Sequence, residues 1–142
     1  MDLGISGRNA LITGGSKGIG RACAEALASE GVNIAIVSRN LKSLESAAAE
    51  MSSNLKGYIV PITGDLTKGA EVERVFAEAE GALGKIDILV NNAGSAPLGK
   101  IRDITDATWQ ECFDLKLMGY VRCSRAVMAG MCKRKWGRIR NI

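Results

Sequence analysis

The residues best suited to chemistry form a glycine-rich turn near the start of the chain, Thr13-Gly-Gly-Ser-Lys-Gly-Ile-Gly20. A short apolar run over residues 10–12 precedes the turn, and a helical pattern begins at Ile19. A strand, a glycine turn and a helix in that order are typical of a phosphate cradle, because the N–H groups and the positive end of the helix dipole face the anion. In such a turn Gly18 leaves room for a pyrophosphate, and Gly20 lets the helix pack closely on the sheet.

The glycines are spaced as Gly-x3-Gly-x-Gly, starting at Gly14. This spacing differs from the Gly-x-Gly-x-x-Gly fingerprint of many dinucleotide folds, and Lys17 does not stand where an ATP-type phosphate loop requires its lysine. A glycine turn without a ligand is the alternative interpretation. The strand and helix patterns on both sides favour a dinucleotide phosphate site.

The composition excludes several classes of catalytic site. The 142 residues contain no histidine, which removes the Ser-His-Asp and Cys-His arrangements of nucleophilic enzymes. The four cysteines, at positions 23, 112, 123 and 132, show no Cys-x-x-Cys spacing. We therefore predict no metal site and interpret the cysteines as reduced, small apolar residues in helices. With no apolar run of membrane-spanning length and no secretory leader pattern, we expect a cytoplasmic protein without membrane contact.

Part of the net charge of +4 comes from a basic cluster near the end of the chain, Lys133-Arg-Lys-Trp-Gly-Arg138. Cations beside a tryptophan could bind nucleic acid. The alternative is a helix end, since cations are favourable at the carboxyl end of a helix and Gly137 is a suitable C-cap. We favour the helix end and predict no nucleic-acid partner.

Strand and helix patterns alternate along the whole chain. We predict strands at 8–13, 32–37, 57–63, 86–90 and 138–142. Helices are predicted at about 18–30, over 41–51, from a cap at Thr67 to residue 83, and as one long element over about 105–133, capped by Thr105 or Asp106. The alternation predicts an α/β fold, a doubly wound parallel sheet of order 3-2-1-4-5. Pro61 agrees with this order, because proline belongs on a sheet edge and the third strand is the edge.

Helical spacing also predicts which face of each helix is buried. For the first helix these residues are Ile19, Ala22, Cys23, Ala26 and Leu27, and for the second Leu41, Leu44, Ala48 and Met51. For the third helix they are Val72, Val75, Phe76, Ala79 and Leu83, and for the long helix Trp109, Cys112, Phe113, Leu117, Tyr120, Val121, Ser124, Met128 and Met131.

Four motifs in order give the chain a close resemblance to the short-chain dehydrogenases/reductases. They are the glycine loop, Asp65-Leu66 after the third strand, Asn91-Asn-Ala-Gly94 after the fourth, and Gly137-Arg-Ile-Arg-Asn-Ile142. The resemblance implies a Rossmann-like sheet, truncated in the fifth strand, with residues 1–142 as the NADP(H)-binding N-terminal part of the family's domain. It also implies hydride transfer between NADPH and a ketone or alcohol, greatest similarity to bacterial 3-oxoacyl-thioester reductases, and a homo-oligomer at full length.

The local chemistry indicates which nicotinamide cofactor is bound. An NAD site places an acid at the end of the second strand, where this chain has Ser38 followed by Arg39. Arg39 can grip a 2′-phosphate and Lys17 adds a second cation, so we expect NADP(H) rather than NAD(H), the alternative being two solvated charges. With the resemblance, the expected cofactor-binding residues are Gly14, Ser16, Lys17, Gly18, Ile19, Gly20, Ser38, Arg39, Asp65, Leu66, Asn92, Ala93 and Gly94.

Two of these positions have alternative interpretations. Asp65 could be a turn or capping acid before Thr67, and Asn92 could be a turn residue. The resemblance favours cofactor contact for both. Gly94 suits a close approach of the backbone to a ligand, because it carries no side chain.

The family's catalytic serine, tyrosine and lysine are expected beyond residue 142. Tyr58 and Tyr120 are followed four residues later by isoleucine and serine, so neither forms the family's Tyr-x-x-x-Lys, and we expect no catalysis from these residues alone. Lys116 occupies the family's asparagine position in the long helix. It is either a replacement that faces the active-site end or a lysine whose stem snorkels along apolar surface. An inactive dinucleotide-binding module and an interaction protein are the alternative functions.

Overall fold

A computed structural model describes residues 2–52 and 56–142 as a parallel sheet flanked by helices. The strands are β1 (Asn9–Thr13), β2 (Asn33–Ser38), β3 (Ile59–Thr63), β4 (Ile88–Asn91) and β5 (Arg138–Asn141). The helices are α1 (Gly18–Ser29), α2 (Leu41–Ser52), α3 (Gly69–Leu83), α4 (Asp106–Lys116) and α5 (Met118–Arg134), with a short 3₁₀ turn at Ile101–Asp103. No helix in these ranges is long and apolar enough to cross a membrane.

The sheet has the order β3-β2-β1-β4-β5, and every described strand pair is parallel. The predicted Rossmann-like order is therefore confirmed. Pro61 lies in β3 opposite Ile36, and β3 is a sheet edge. Proline is tolerated there because the outer side of an edge strand has no neighbour that needs its missing N–H.

Apolar cores cover both faces of the sheet. Leu11 packs in the core under α3 and α5, while its neighbour Ile12 packs in the core under α1 and α2, and both are fully buried. Successive side chains of a strand point to opposite faces. This two-sided burial explains why β1 and β2 are nearly unbroken apolar runs rather than alternating ones.

The buried face predicted for α1 is right only for Cys23 and Leu27, which are half-buried against the core, and wrong for the other three residues. Ile19 is 62% exposed, and Ala22 and Ala26 are also exposed. The buried residues are the small ones on the adjoining face, Gly20, Ala24 and Ala28. A helix with such small residues can approach the sheet closely, and that close packing outweighs burial of the larger side chains. In α2 the prediction holds for Leu44, Ala48 and Met51, but Leu41 is 50% exposed.

The face predicted for α3 is confirmed, since all five of its apolar residues are buried. The predicted cap is wrong. The helix begins at Gly69 with Lys68 as its N-cap, while the Thr67 hydroxyl donates to Asp65 Oδ1 at 2.7 Å. The Thr67 hydroxyl, which was predicted to cap the helix, is therefore hydrogen-bonded to Asp65 instead.

The predicted long helix is divided into α4 and α5 at Leu117. Thr105 is the N-cap of α4, as one of the two predicted alternatives, and accepts from the Thr108 N–H at 3.3 Å. At the division, Arg122 Nη1 donates to the Asp114 carbonyl at 3.1 Å.

The predicted apolar face of α4 and α5 is only in part buried. The residues buried in α5 are Gly119, Cys123, Val127 and Met131, of which the prediction included Met131 alone. Four predicted residues are exposed: Phe113, Leu117, Val121 and Met128. Gly119 and Cys123 are small, as are the buried residues of α1, but the larger Val127 and Met131 are buried on the same face of α5.

Gly137 is not the C-cap of α5, contrary to the prediction. The helix ends at Arg134, and its C-cap is Lys135, which adopts the left-handed conformation with φ +55°. A different constraint favours glycine at position 137, because a Cβ there would collide with the side chain of Met131. The basic cluster itself lies around the helix end, where the guanidinium carbons of Arg8 and Arg138 lie 4.0 and 4.8 Å from the centre of the Trp136 ring.

Candidate functional site

The carboxyl ends of the strands open into a cavity of about 880 Å³. All the residues predicted to bind a cofactor line it, except Gly20. They are Gly14, Ser16, Lys17, Gly18, Ile19, Ser38, Arg39, Asp65, Leu66, Asn92, Ala93 and Gly94. Ligands in open α/β sheets bind in such a crevice, outside the carboxyl ends of the strands where the strand order reverses.

The glycine loop joins β1 to α1 along one side of the cavity. Gly14 and Gly18 both adopt positive φ, +68° and +56°, which residues with side chains rarely do. The Gly14 N–H donates to the Val37 carbonyl at 2.7 Å and ties the loop to β2. At Gly18 a Cβ would project into open space, so the missing side chain leaves room for a ligand at the first turn of α1. A cradle of this shape, at the positive end of a helix, fits a pyrophosphate.

Gly20 lies behind the loop rather than in the cavity wall. A Cβ at this position would collide with the Gly14 carbonyl oxygen and with Asn92 Nδ2. Gly20 therefore shapes the cradle indirectly, by allowing the loop and the end of β4 to close over the start of α1.

Thr13 and Asn92 fasten the glycine loop to the end of β4. The buried Thr13 Oγ1 accepts from the backbone N–H groups of Asn92 and Ala93, both at 2.9 Å. The Asn92 amide donates back to the carbonyls of Thr13 at 3.0 Å and Gly14 at 3.2 Å. Asn92 therefore makes long-range contacts with β1 and the glycine loop rather than those of a local turn, and it lines the cavity.

Asp65, which follows β3, both forms a turn and lines the cavity. Its Oδ1 accepts from the Thr67 N–H at 3.1 Å and from the Thr67 hydroxyl, which makes it a turn acid. The hydrogen bond from the Thr67 side chain, with smaller contributions from Lys68 and Arg39, lowers the pKa of Asp65 below its ordinary value. The carboxylate is therefore ionised at neutral pH at the edge of the cavity.

The end of β2 presents cations and hydroxyls to the cavity. Ser38 Oγ accepts from the Asn40 N–H at 3.3 Å, and Asn40 Oδ1 accepts from the Ser43 N–H at 2.9 Å, at the start of α2. Arg39 is exposed, and so is Lys17 across the cavity in the N-cap position of α1. This end of the cavity suits a dianionic group.

Side chains of α1 and α2 form a polar wall of the cavity that none of the four motifs predicts. Arg21, Ser43, Ser46 and Glu50 also line the cavity. Their spacing could have revealed them, because Arg21 lies one turn after Lys17 and the three α2 residues recur at helical intervals on one face. Glu50 is important because it adds a carboxylate to a cavity in which no acid was expected beside the cations at the end of β2.

Lys116 lies beside the cavity without lining it. Its stem runs along Gly94, where a Cβ would lie 3.0 Å from Lys116 Cδ, and its ammonium donates to the Ile142 carbonyl at 3.0 Å. The Tyr120 hydroxyl donates to the same carbonyl at 2.8 Å. Burial raises the pKa of this tyrosine above its ordinary value, so the phenol is protonated at neutral pH. Both side chains hold the end of β5.

Comparison with known proteins identifies the family. A family model described as short chain dehydrogenase matches residues 8–142. The D-beta-hydroxybutyrate dehydrogenase of Cupriavidus necator is 34% identical over 139 residues, which cover 97% of this chain and 53% of that protein. The 3-oxoacyl-(acyl-carrier-protein) reductase FabG of Escherichia coli is 33% identical over 140 residues, covering 99% of this chain and 56% of that protein.

A solved structure gives the same assignment. The crystal structure of L-sorbose reductase from Gluconobacter frateurii, complexed with NADPH and L-sorbose, superposes with a TM-score of 0.92 at 37% identity. The match covers 99% of this chain and 54% of that one, and the chain spans about half the length of the curated relatives it matches. The resemblance predicted from the four motifs is confirmed: the chain belongs to the short chain dehydrogenase family.

Proposed function

We propose that the protein is an NADP(H)-dependent oxidoreductase that interconverts a small-molecule ketone and alcohol, and that residues 1–142 form its NADP(H)-binding domain. The observation that carries the proposal is the chemistry at the end of β2, where Ser38 and Arg39 stand in place of the acid of an NAD site and line the same cavity as Lys17. The solved L-sorbose reductase, which was crystallised with NADPH, supports it.

In this proposal the bound nicotinamide supplies or accepts the hydride, and the chain's residues hold the cofactor. The amides at the start of α1 and the Gly18 cradle bind the pyrophosphate. Arg39 and Lys17 bind the 2′-phosphate through charge-assisted hydrogen bonds. Asp65 and Leu66 hold the adenine side, while Asn92, Ala93 and Gly94 lie against the nicotinamide side.

We further propose that a polypeptide of these 142 residues binds NADP(H) without turnover. Proton transfer to a carbonyl oxygen needs an acid with a pKa near neutral, and burial shifts the pKa of Tyr120 upwards, away from that range. The Tyr120 hydroxyl is also committed to the Ile142 carbonyl, and Tyr58 is 53% exposed beside the edge strand β3. Neither tyrosine is suited to the role.

An interaction surface is the second candidate. The exposed apolar residues Phe113, Leu117, Val121 and Met128 on α4 and α5 favour contact with another subunit. We propose that the full-length protein is a homo-oligomer that uses this face.

Calorimetric titration of the 142-residue chain with NADPH and NADH tests the cofactor proposal. Because a charge-assisted hydrogen bond is worth roughly 1.5–3 kcal/mol, Arg39→Ala should weaken NADPH binding by about tenfold to a hundredfold. The same variant should leave NADH binding nearly unchanged. Arg125→Ala removes an equal charge from exposed surface of α5 and is the matched control. Equal losses for both cofactors in Arg39→Ala would contradict the assignment.

A further inference from the structure

Glu50 brings a carboxylate into the wall of the cavity that also holds Lys17 and Arg39. Its pKa lies below the ordinary value because of hydrogen bonds from Arg21, first, and from Ser46. Glu50 is therefore ionised at neutral pH. An acid in this wall would oppose the binding of a phosphate unless another charge compensates it.

Arg21 provides that compensation from the other wall. Its Nη1 donates to Glu50 Oε2 at 2.8 Å, and its Nε donates to Glu25 Oε1 at 2.9 Å. The remaining oxygen of the Glu50 carboxylate, Oε1, accepts from the Ser46 hydroxyl at 2.9 Å. Arg21 follows Lys17 by one helical turn, and its N–H donates to the Lys17 carbonyl at 3.3 Å. The ion pair thus joins α1 to α2 in the wall of the cavity that Lys17 and Arg39 also line.

We propose that Arg21 is a specificity-determining residue, which masks the Glu50 carboxylate so that this end of the cavity accepts the 2′-phosphate of NADP(H). The inference rests on the proposed function. Arg21 also pairs with Glu25, which does not line the cavity. With Arg21 present, its charge offsets that of Glu50 in the cavity wall, where the charges of Lys17 and Arg39 act on the phosphate. Without Arg21, the Glu50 carboxylate lies in the same cavity wall and offsets one of those two cations.

The Arg21–Glu50 pair could instead act as a mechanical link, or Arg21 could bind the phosphate itself. A mechanical link would make loss of either partner equally harmful. A phosphate-binding Arg21 would make its loss harmful whether or not Glu50 remains. Masking differs from both, because removal of Glu50 should cancel the damage caused by removal of Arg21. This pattern is a coupling between neighbouring sites, which a double-mutant cycle measures.

The experiment measures the dissociation constants of NADPH and NADH for the 142-residue chain and for Arg21→Gln, Glu50→Gln and the double variant, at low ionic strength. Both groups are partly exposed, with side-chain exposures of 31% and 55%, so water weakens the effect. We expect Arg21→Gln to weaken NADPH binding by about fivefold and NADH binding by less than about twofold. Glu50→Gln should bind NADPH as tightly as the unsubstituted chain or more tightly, and the double variant should return to within about twofold of it.

The controls use a second ion pair of the same length outside the cavity. Lys85 Nζ lies 2.8 Å from Glu80 Oε2, close to the amino end of β4. Lys85→Gln and Glu80→Gln make the same charge changes and should leave both dissociation constants unchanged. Repetition at 1 M salt, where the Debye length falls to about 3 Å, should abolish most of the Arg21→Gln effect on NADPH.

Several results would overturn the inference. A double variant as weak as Arg21→Gln would assign Arg21 to direct phosphate binding, and a weakened Glu50→Gln would assign the pair to a mechanical link. If the unsubstituted chain prefers NADPH and Arg21→Gln keeps that affinity, the inference fails while the proposed function stands. If the unsubstituted chain binds NADH and NADPH equally, or neither, the proposed function fails together with the inference.

Discussion

Replacement of Thr13 by valine tests how the cofactor cradle is held to the sheet. Valine has nearly the shape of threonine but lacks the hydroxyl. Thr13 is 1% exposed, and its Oγ1 accepts from the N–H groups of Asn92 and Ala93 at 2.9 Å each. The substitution leaves both donors without that acceptor, at the point where β4 meets the glycine loop.

The cost follows from those two hydrogen bonds. A buried donor left without a partner costs about 1–3 kcal/mol, so the loss of two predicts a decrease of about 3 kcal/mol in the free energy of unfolding. For a chain of this size that corresponds to a fall of roughly 10 °C in the melting temperature. Thermal unfolding followed by circular dichroism measures the shift, and Thr13→Ser, which keeps the hydroxyl, is the control. We also expect weaker NADPH binding in Thr13→Val, because the loop loses its attachment.

The reasoning would be refuted if Thr13→Val melted within about 2 °C of the unsubstituted chain, since that corresponds to less than about 1 kcal/mol. It would also be refuted if Thr13→Ser were as unstable as Thr13→Val. In that case the methyl group of Thr13, and not its hydroxyl, would account for the stability.

Two further predictions concern glycine and cysteine positions. Gly20→Ala should lower stability by about 3 kcal/mol, because its Cβ would lie 2.9 Å from the Gly14 carbonyl carbon and collide with the adjoining oxygen. At Gly18 a Cβ would meet open space, but φ is +56°, so Gly18→Ala should lower the free energy of unfolding by about 1 kcal/mol in chemical denaturation. It should also weaken NADPH binding by more than this loss of stability explains. A Gly18→Ala variant less stable than Gly20→Ala would contradict the roles given to both glycines. Cys132, which is exposed, should react with a thiol reagent at pH 8 in the native state. Cys123 should not react, since burial raises its pKa to about 12, and modification of Cys123 at the same rate, mapped by mass spectrometry, would refute its placement.

The sheet could be predicted from the sequence because its signals are local and mutually consistent. The strands β1 to β4 are short, mainly apolar runs, each crossover contains a helix, and Pro61 independently marks one edge strand. Parallel crossovers have one handedness, which limits the possible orders. These constraints fix the topology without knowledge of any side-chain contact.

The buried faces of α1 and α5 could not be predicted in this way. A 3.6-residue period identifies apolar positions, but it does not show whether large or small side chains lie against the sheet. In α1 the small residues Gly20, Ala24 and Ala28 are buried, while Ile19 lies in the cavity wall. In α5 the exposed apolar residues belong to a face that no described element covers.

In the candidate site, too, the residues that belong to local motifs could be predicted, and a contact between distant parts of the chain could not. The glycine loop, Asp65 and Asn92 follow directly from motifs, and the structure gathers them in one cavity. Arg21 and Glu50 are 29 positions apart, and neither belongs to a motif that binds a cofactor. Helical spacing could have placed each side chain on the cavity face of its helix, but only the packing of α1 beside α2 brings the Arg21 guanidinium to the Glu50 carboxylate.

Hydrogen exchange of the 142-residue chain, with and without NADPH, is the most direct test of the central claim. That claim is that the cofactor binds at the carboxyl ends of the strands. The account predicts that NADPH slows exchange of backbone amides in residues 14–20, 38–40, 64–67 and 92–94, all in or beside the cavity wall. Amides near Lys85 and Arg138, at the opposite edge, should exchange as before. Protection confined to that opposite edge, or no protection at a saturating NADPH concentration, would contradict the account.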